Sequence, residues 1–84
     1  MYILSQFADC IVDTKSHKIY CYNSTIFAKG KNSESNLGYY DSPVGAINIV
    51  RSIWEAMKRE DKMFEMPMSK FTERLNERCG YSND

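Results

Sequence analysis

The stretch Leu37–Met66, LGYYDSPVGAINIVRSIWEAMKREDKMFEM, decides how this chain folds. It opens as an apolar-aromatic strand, Leu37-Gly38-Tyr39-Tyr40, and turns through Asp41-Ser42-Pro43 into a helix. Ser42 supplies a capping hydroxyl, Pro43 suits the first helical position, and Asp41 lies near the positive end of the helix dipole. Ala46, Ile49, Val50, Ile53, Trp54 and Met57 then recur at three- and four-residue spacings. Asn48, Arg51, Ser52, Glu55 and Lys58 fall largely on the other side, so one face is meant for a sheet. The pattern predicts a helix over Pro43–Arg59 that ends in the charged run Lys58-Arg59-Glu60-Asp61-Lys62. Met63–Met66 reads as an edge strand or extended arm stopped by Pro67.

Everything before this stretch reads as short strands. Met1–Phe7, Cys10–Val12, Lys18–Tyr22 and Thr25–Ala28 are separated by turn formers such as Asp13-Thr14-Lys15-Ser16 and Asn23-Ser24. Gly30–Asn36 lacks any apolar side chain and reads as a mobile hairpin tip. Ser69 is a second cap, with Phe71, Leu75 and Cys79 at every fourth position and Gly80 as the stop. The expected class is α+β: an antiparallel β-meander of four to five short strands covered by one long helix, with a short C-terminal strand and helix. Within one domain, residues 1–40 form the strand-rich half and 41–61 the main helix. Residues 62–80 form an arm and short helix, and 81–84 a frayed tail.

Composition narrows the function classes. The chain has 84 residues and buries only roughly 60–65% of its unfolded surface, so self-association is the expected route to added stability. Eleven basic residues balance eleven acidic ones, which argues against a nucleic-acid partner and against an acidic DNA mimic. Four residues of each sign lie in 1–50 and seven of each in 51–84, interleaved as on a solvated helix surface. Three cysteines form no CxxC pair, and the N-terminal sequence has no positive n-region or apolar run. These features place the chain in a reducing cytoplasm with no membrane span and with thiols acting as small hydrophobes.

No catalytic constellation stands out. His17 is the only histidine and sits in a polar turn, away in sequence from Cys10, Cys21 and Cys79. No metal site, cofactor motif or nucleophile–base pair is expected, and the chain does not read as an enzyme. The tyrosines are more informative. Tyr20 and Tyr22 compete with Ile19 and Cys21 for one face of a strand, and the alternation leaves open which pair faces out. If exposed, these tyrosines suit an interface or a stacking platform. Met63, Phe64 and Met66 form an adaptable apolar arm suited to a partner or a dimer. Any small-ligand site is expected at the helix start. There the amides of Val44 and Gly45 face outward, Tyr39 and Tyr40 flank them, and Arg51 is within reach of a phosphate. The competing reading of Gly45 is close packing of the helix on the sheet.

Met1-Tyr2-Ile3-Leu4-Ser5-Gln6, Leu37-Gly38-Tyr39-Tyr40, the capped helix and Phe64-Glu65-Met66-Pro67 together carry a likeness. Over its first 67 residues the chain resembles small uncharacterised proteins encoded by phages and prophages of low-GC Gram-positive bacteria. Met68–Asp84 looks like an addition to that pattern. The resemblance implies a phage setting, in which small non-enzymatic proteins block host machinery by binding it. The leading expectation is an inhibitor of a host antiviral defence component, acting in the host cell cytoplasm and self-associating as a homodimer. The alternatives are a sponge that sequesters a nucleotide signal and a small regulator contacting nucleic acid.

Overall fold

In the computed structural model, which describes residues 1–69, six strands and one helix follow in the order β1 (Tyr2–Leu4), β2 (Ile11–Asp13), β3 (Lys18–Tyr22), β4 (Thr25–Lys29), β5 (Glu34–Tyr39), α1 (Pro43–Lys58) and β6 (Met63–Glu65). The class is α+β. The short helix expected to carry Phe71, Leu75 and Cys79, and the tail 81–84, lie outside the described residues.

The strands divide between two three-stranded sheets, ordered β2-β1-β6 and β3-β4-β5. The first is mixed: β2 runs antiparallel to β1, and β6, arriving after the helix, runs parallel to it. The second is antiparallel throughout. The break in the meander falls at Asp13–Ser16, where the Asp13 carboxylate accepts from the Lys15 amide at 3.0 Å and the Asp13 carbonyl from the Ser16 amide at 3.1 Å. This turn satisfies its own backbone and redirects the chain out of the first sheet. Asn23, at φ 56°, takes the left-handed position of the β3–β4 connection, which asparagine tolerates. The expected loop Gly30–Asn36 is shorter than its composition suggests. Its last three residues, Glu34–Asn36, open β5, because backbone pairing with β4 needs no apolar side chains on the solvent face.

The helix begins as its sequence dictates. Ser42 has extended backbone angles, and its hydroxyl accepts from the Gly45 amide at 3.0 Å. Its phase differs from expectation. Ala46, Ile53 and Ala56 are buried, whereas Trp54 and Met57 are 59% and 42% exposed. Two alanines mark the side that approaches the sheets closely, and a bulkier stripe including Trp54 would hold the helix off. The core gathers Ile3, Val12, Ile26, Ala28, Leu37, Tyr40, Ala46, Ile53 and Met66.

A single side chain joins these parts. Gln6 is 6% exposed and follows β1. Its backbone amide donates to the Leu37 carbonyl at 2.8 Å, so the chain after β1 closes the edge of β5. Its Nε2 donates to the carbonyls of Tyr39 and Pro67, both at 2.9 Å, and its Oε1 accepts from the Tyr39 amide at 2.8 Å. Gly38 leaves the room: a Cβ there would meet Gln6 Oε1 at 3.0 Å, Cδ at 3.1 Å and Cβ at 3.2 Å. Replacing Gln6 with Leu keeps the volume but leaves the Tyr39 amide unpaired and takes one of two donors from the Tyr39 and Pro67 carbonyls, which keep the Ser69 and Tyr40 hydroxyls. At about 1–3 kcal/mol for the unpaired amide and about 1 kcal/mol for each bond lost, much of so small a domain's stability goes. Urea unfolding of Gln6→Leu is expected to show a loss of about 3 kcal/mol or no folded baseline. A loss under about 1 kcal/mol excludes this clamp.

Candidate functional site

The outer face of the β3-β4-β5 sheet, turned away from α1, is built in three cross-strand rows. Tyr22, Thr25 and Tyr39 share the first, Tyr20, Phe27 and Asn36 the second, and Lys18, Lys29 and Glu34 the third. A bulge between Ile26 and Phe27 admits Leu37 as an extra, inward residue and keeps Tyr39 on the outer face. The alternation left open in β3 is thereby resolved: Ile19 and Cys21 pack against the core, and Tyr20 and Tyr22 face out. Tyr22 is 69% and Tyr39 43% exposed. Between them the Tyr20 and Phe27 rings stack at 5.4 Å and 25°, which fixes the middle of the platform. The Tyr20 hydroxyl donates to the Glu34 carboxylate. That bond, with desolvation and the negative charge beside it, holds the Tyr20 phenol above its ordinary value. The face thus grades from exposed aromatics at one end to mixed charge at the other.

The residues expected at the helix start are only partly brought together. Tyr39 and Tyr40 turn to opposite sides, since Tyr39 is on the outer face and Tyr40 is buried at 9% exposure. The Tyr40 hydroxyl donates to the Pro67 carbonyl at 2.8 Å, and burial pushes its pKa up to about 12. The Gly45 amide is taken by Ser42 Oγ, so it is not the open anion donor that the spacing suggested. A Cβ at Gly45 would lie 3.3 Å from that oxygen, so the close neighbour of this glycine is its own N-cap rather than a strand of the sheet. Val44 is 66% exposed. Arg51 is exposed two turns further on, about 9 Å along the axis from Gly45. A cavity of about 370 Å³ does open beside the helix start, lined by Ser24, Tyr39, Tyr40 and Asp41. The Asp41 carboxylate there opposes an anionic ligand.

Met63, Phe64 and Met66 separate as well. Met66 is buried in the core, Phe64 packs against it half-buried, and Met63 alone is exposed, at 76%. Met63 lies directly across from Tyr2, and Leu4 across from Ile11, so the first sheet also carries an apolar outer face. The sequence pattern concealed this face, because a three-residue strand gives too few alternations to reveal its phase. A third apolar surface, the helix shoulder of Ile47, Trp54 and Met57, was hidden by the helix phase. The alanines at 46 and 56 were the available signal.

The remaining chemistry-bearing groups are spread apart. Cys10 and Cys21 are free, half-buried thiols, the first just before β2 and the second in β3. His17 lies in the turn before β3, its Nδ1 2.9 Å from Ser16 Oγ and 3.1 Å from the Asp13 carbonyl oxygen. Among the described residues no three His, Cys, Asp or Glu side chains cluster so as to hold a metal ion, and no helix is long and apolar enough to cross a membrane. Comparison of the chain with protein-family models, with curated proteins and with solved structures returns no match.

Tyr40 gives this region a measurable signature. Its phenol is neutral in the fold and has an ordinary value of 10.0 when exposed. The folded state therefore keeps the full contribution of Tyr40 below pH 10 and loses it as pH rises toward 12. Tyr40→Phe is expected to cost about 1 kcal/mol at neutral pH, from the lost bond to Pro67, and to flatten the alkaline fall. Thermal unfolding of both proteins from pH 8 to 12 checks it, and parallel alkaline curves would exclude Tyr40 as their cause.

Proposed function

We propose that this protein is a small non-enzymatic binding protein of phage type. It acts by docking the aromatic outer face of its second sheet on a host protein, and a component of host antiviral defence is the target class. The observation that supports this reading is the face itself: Tyr22 and Tyr39 stand exposed on either side of Thr25, beside the stacked Tyr20–Phe27 pair and a charged row. Rigid aromatic anchors flanked on one side by mixed charge suit a protein-binding surface, where a few such side chains carry most of the affinity. The charged row holds Glu34 beside Lys18 and Lys29, and the chain has no net charge, so a polyphosphate backbone is the poorer match. The phage resemblance supplies the setting, the host cytoplasm.

A nucleotide-sequestering role is the second reading, and it rests on the cavity beside Tyr39 and Tyr40. Its volume suits a small ligand, but its one charged lining group is the Asp41 carboxylate.

Capture from a bacterial lysate on the immobilised full chain separates the two. The wild type is expected to retain a host protein that Tyr22→Ala and Tyr39→Ala each release, at about 2 kcal/mol or roughly thirtyfold in affinity per anchor. Both positions are exposed, so the variants should melt like the wild type. Equal capture by all three proteins would sink the docking face. Stabilisation by a nucleotide, about 2.7 kcal/mol at a hundred times its dissociation constant, would move the assignment to the sponge.

A further inference from the structure

We infer that two copies of this chain pair through β3, Lys18–Tyr22, to join their second sheets into one six-stranded sheet with both helices on the same side. The two sheets present four edges, and three of them are poor templates. β2 and β6 are three residues long, and the Leu37 and Tyr39 bonds to Gln6 occupy one end of the β5 edge, leaving only Glu34–Asn36. β3 is five residues long, carries no proline and one charge, and among the described residues pairs only with β4. An unguarded edge of that length is a site for strand addition.

The strand is complementary to itself. Antiparallel pairing about Tyr20 engages all five residues, setting Lys18 against the partner's Tyr22 and Ile19 against the partner's Cys21. Residues directly opposed in such a ladder share a face, so both protomers keep their helices on one side and their tyrosines on the other. A one-residue slip would put the two helices on opposite faces and bring Ile19 level with a tyrosine. Centring on Tyr20 also keeps the two Lys18 ammonium groups apart, each lying over an aromatic ring. The partner is thus an isologous second copy.

The helix supplies the apolar area that a ladder alone lacks. Its buried side carries Ala46, Ile53 and Ala56, and the Ile47–Trp54–Met57 shoulder stands about a quarter-turn away, where it overhangs the notch beside β3. That notch, about 200 Å³, is floored by Ile19, Val50 and Ile53 and walled by His17 and Trp54. Ile47 and Trp54 are 52% and 59% exposed in the single chain, an unusual load of bare surface for a domain this small. Pairing brings the two shoulders together over the new ladder. Pairing leaves the aromatic outer faces open and doubles them, so the inference stands apart from the proposed function.

Sedimentation equilibrium of the full chain at high micromolar concentration is the test, and a dimer is expected. Ile47→Lys and Trp54→Lys, at exposed helix positions, should melt like the wild type yet weaken the dimer at least about tenfold each. With a mild thiol oxidant added to take up the two electrons, Tyr20→Cys should form a disulfide-linked dimer rapidly across the two-fold axis, whereas Phe27→Cys, one strand further in, should not exceed the wild-type background. A monomeric wild type overturns the inference and returns the edge to residues 70–84 or a foreign strand. So does a dimer indifferent to both lysines, or a Tyr20→Cys variant that cross-links no faster than Phe27→Cys.

Discussion

The architecture depends on one buried amide. Gln6 is the second residue after β1, yet its side chain and backbone bond to the far end of β5 and to the Pro67 carbonyl beyond β6. A primary amide has two donor hydrogens and one oxygen with two lone pairs, so it can hold two carbonyls and an N–H at once. No apolar side chain of that size could do this, because the Tyr39 amide would be left without an acceptor and the Tyr39 and Pro67 carbonyls would each lose one of two donors. The bond pattern turns two small sheets, each too slight to be stable alone, into a single cored unit. Tyr40 reinforces it from the other side by donating to the same Pro67 carbonyl. Ser5-Gln6, Leu37-Gly38-Tyr39 and Met66-Pro67 are distant in the chain and adjacent in space.

What was legible in the sequence was local. The helix could be read to within one residue of Pro43–Lys58, because its cap, proline and apolar period agree. Lys18–Tyr22 and Thr25–Lys29 could be read because five-residue strands allow period-two alternation to show. The partition into two sheets was not legible. It rests on Gln6, Gly38 and Pro67 meeting across long separations, and a lone glutamine after a strand looks like any polar residue. The helix phase failed for a related reason. Hydropathy ranks Trp54 and Met57 above Ala46 and Ala56, whereas close packing selects the alanines for the interface and pushes the bulky groups aside.

The same distinction explains the candidate site. Alternation in β3 offered two equal assignments, and only the presence of α1 over Ile19 and Cys21 decides that the tyrosines face out. The helix-start site looked coherent along the chain, since Tyr39, Tyr40, Gly45 and Arg51 are near neighbours there. In space the alternation of an extended chain sends the two adjacent tyrosines to opposite sides, and the N-cap consumes the glycine amide. Proximity in sequence overstated proximity in the site.

A chain of this size faces a conflict between stability and exposed function. Its interior holds few large, fully buried side chains, Ile3, Ile26 and Leu37, while Tyr22, Trp54 and Met63 stay largely exposed on three different surfaces. Relocating those groups inward would require a larger core than two three-stranded sheets and one helix can enclose. The fold resolves the conflict by spending polar contacts where apolar area is scarce. Gln6 joins the sheets, Ser5 Oγ accepts from the Asp9 and Cys10 amides at 3.1 Å each to hold the β1–β2 turn, and the Tyr40 hydroxyl anchors the chain after β6. Directional bonds of this kind fix geometry without consuming apolar surface, which leaves the aromatic and aliphatic side chains free to meet other molecules.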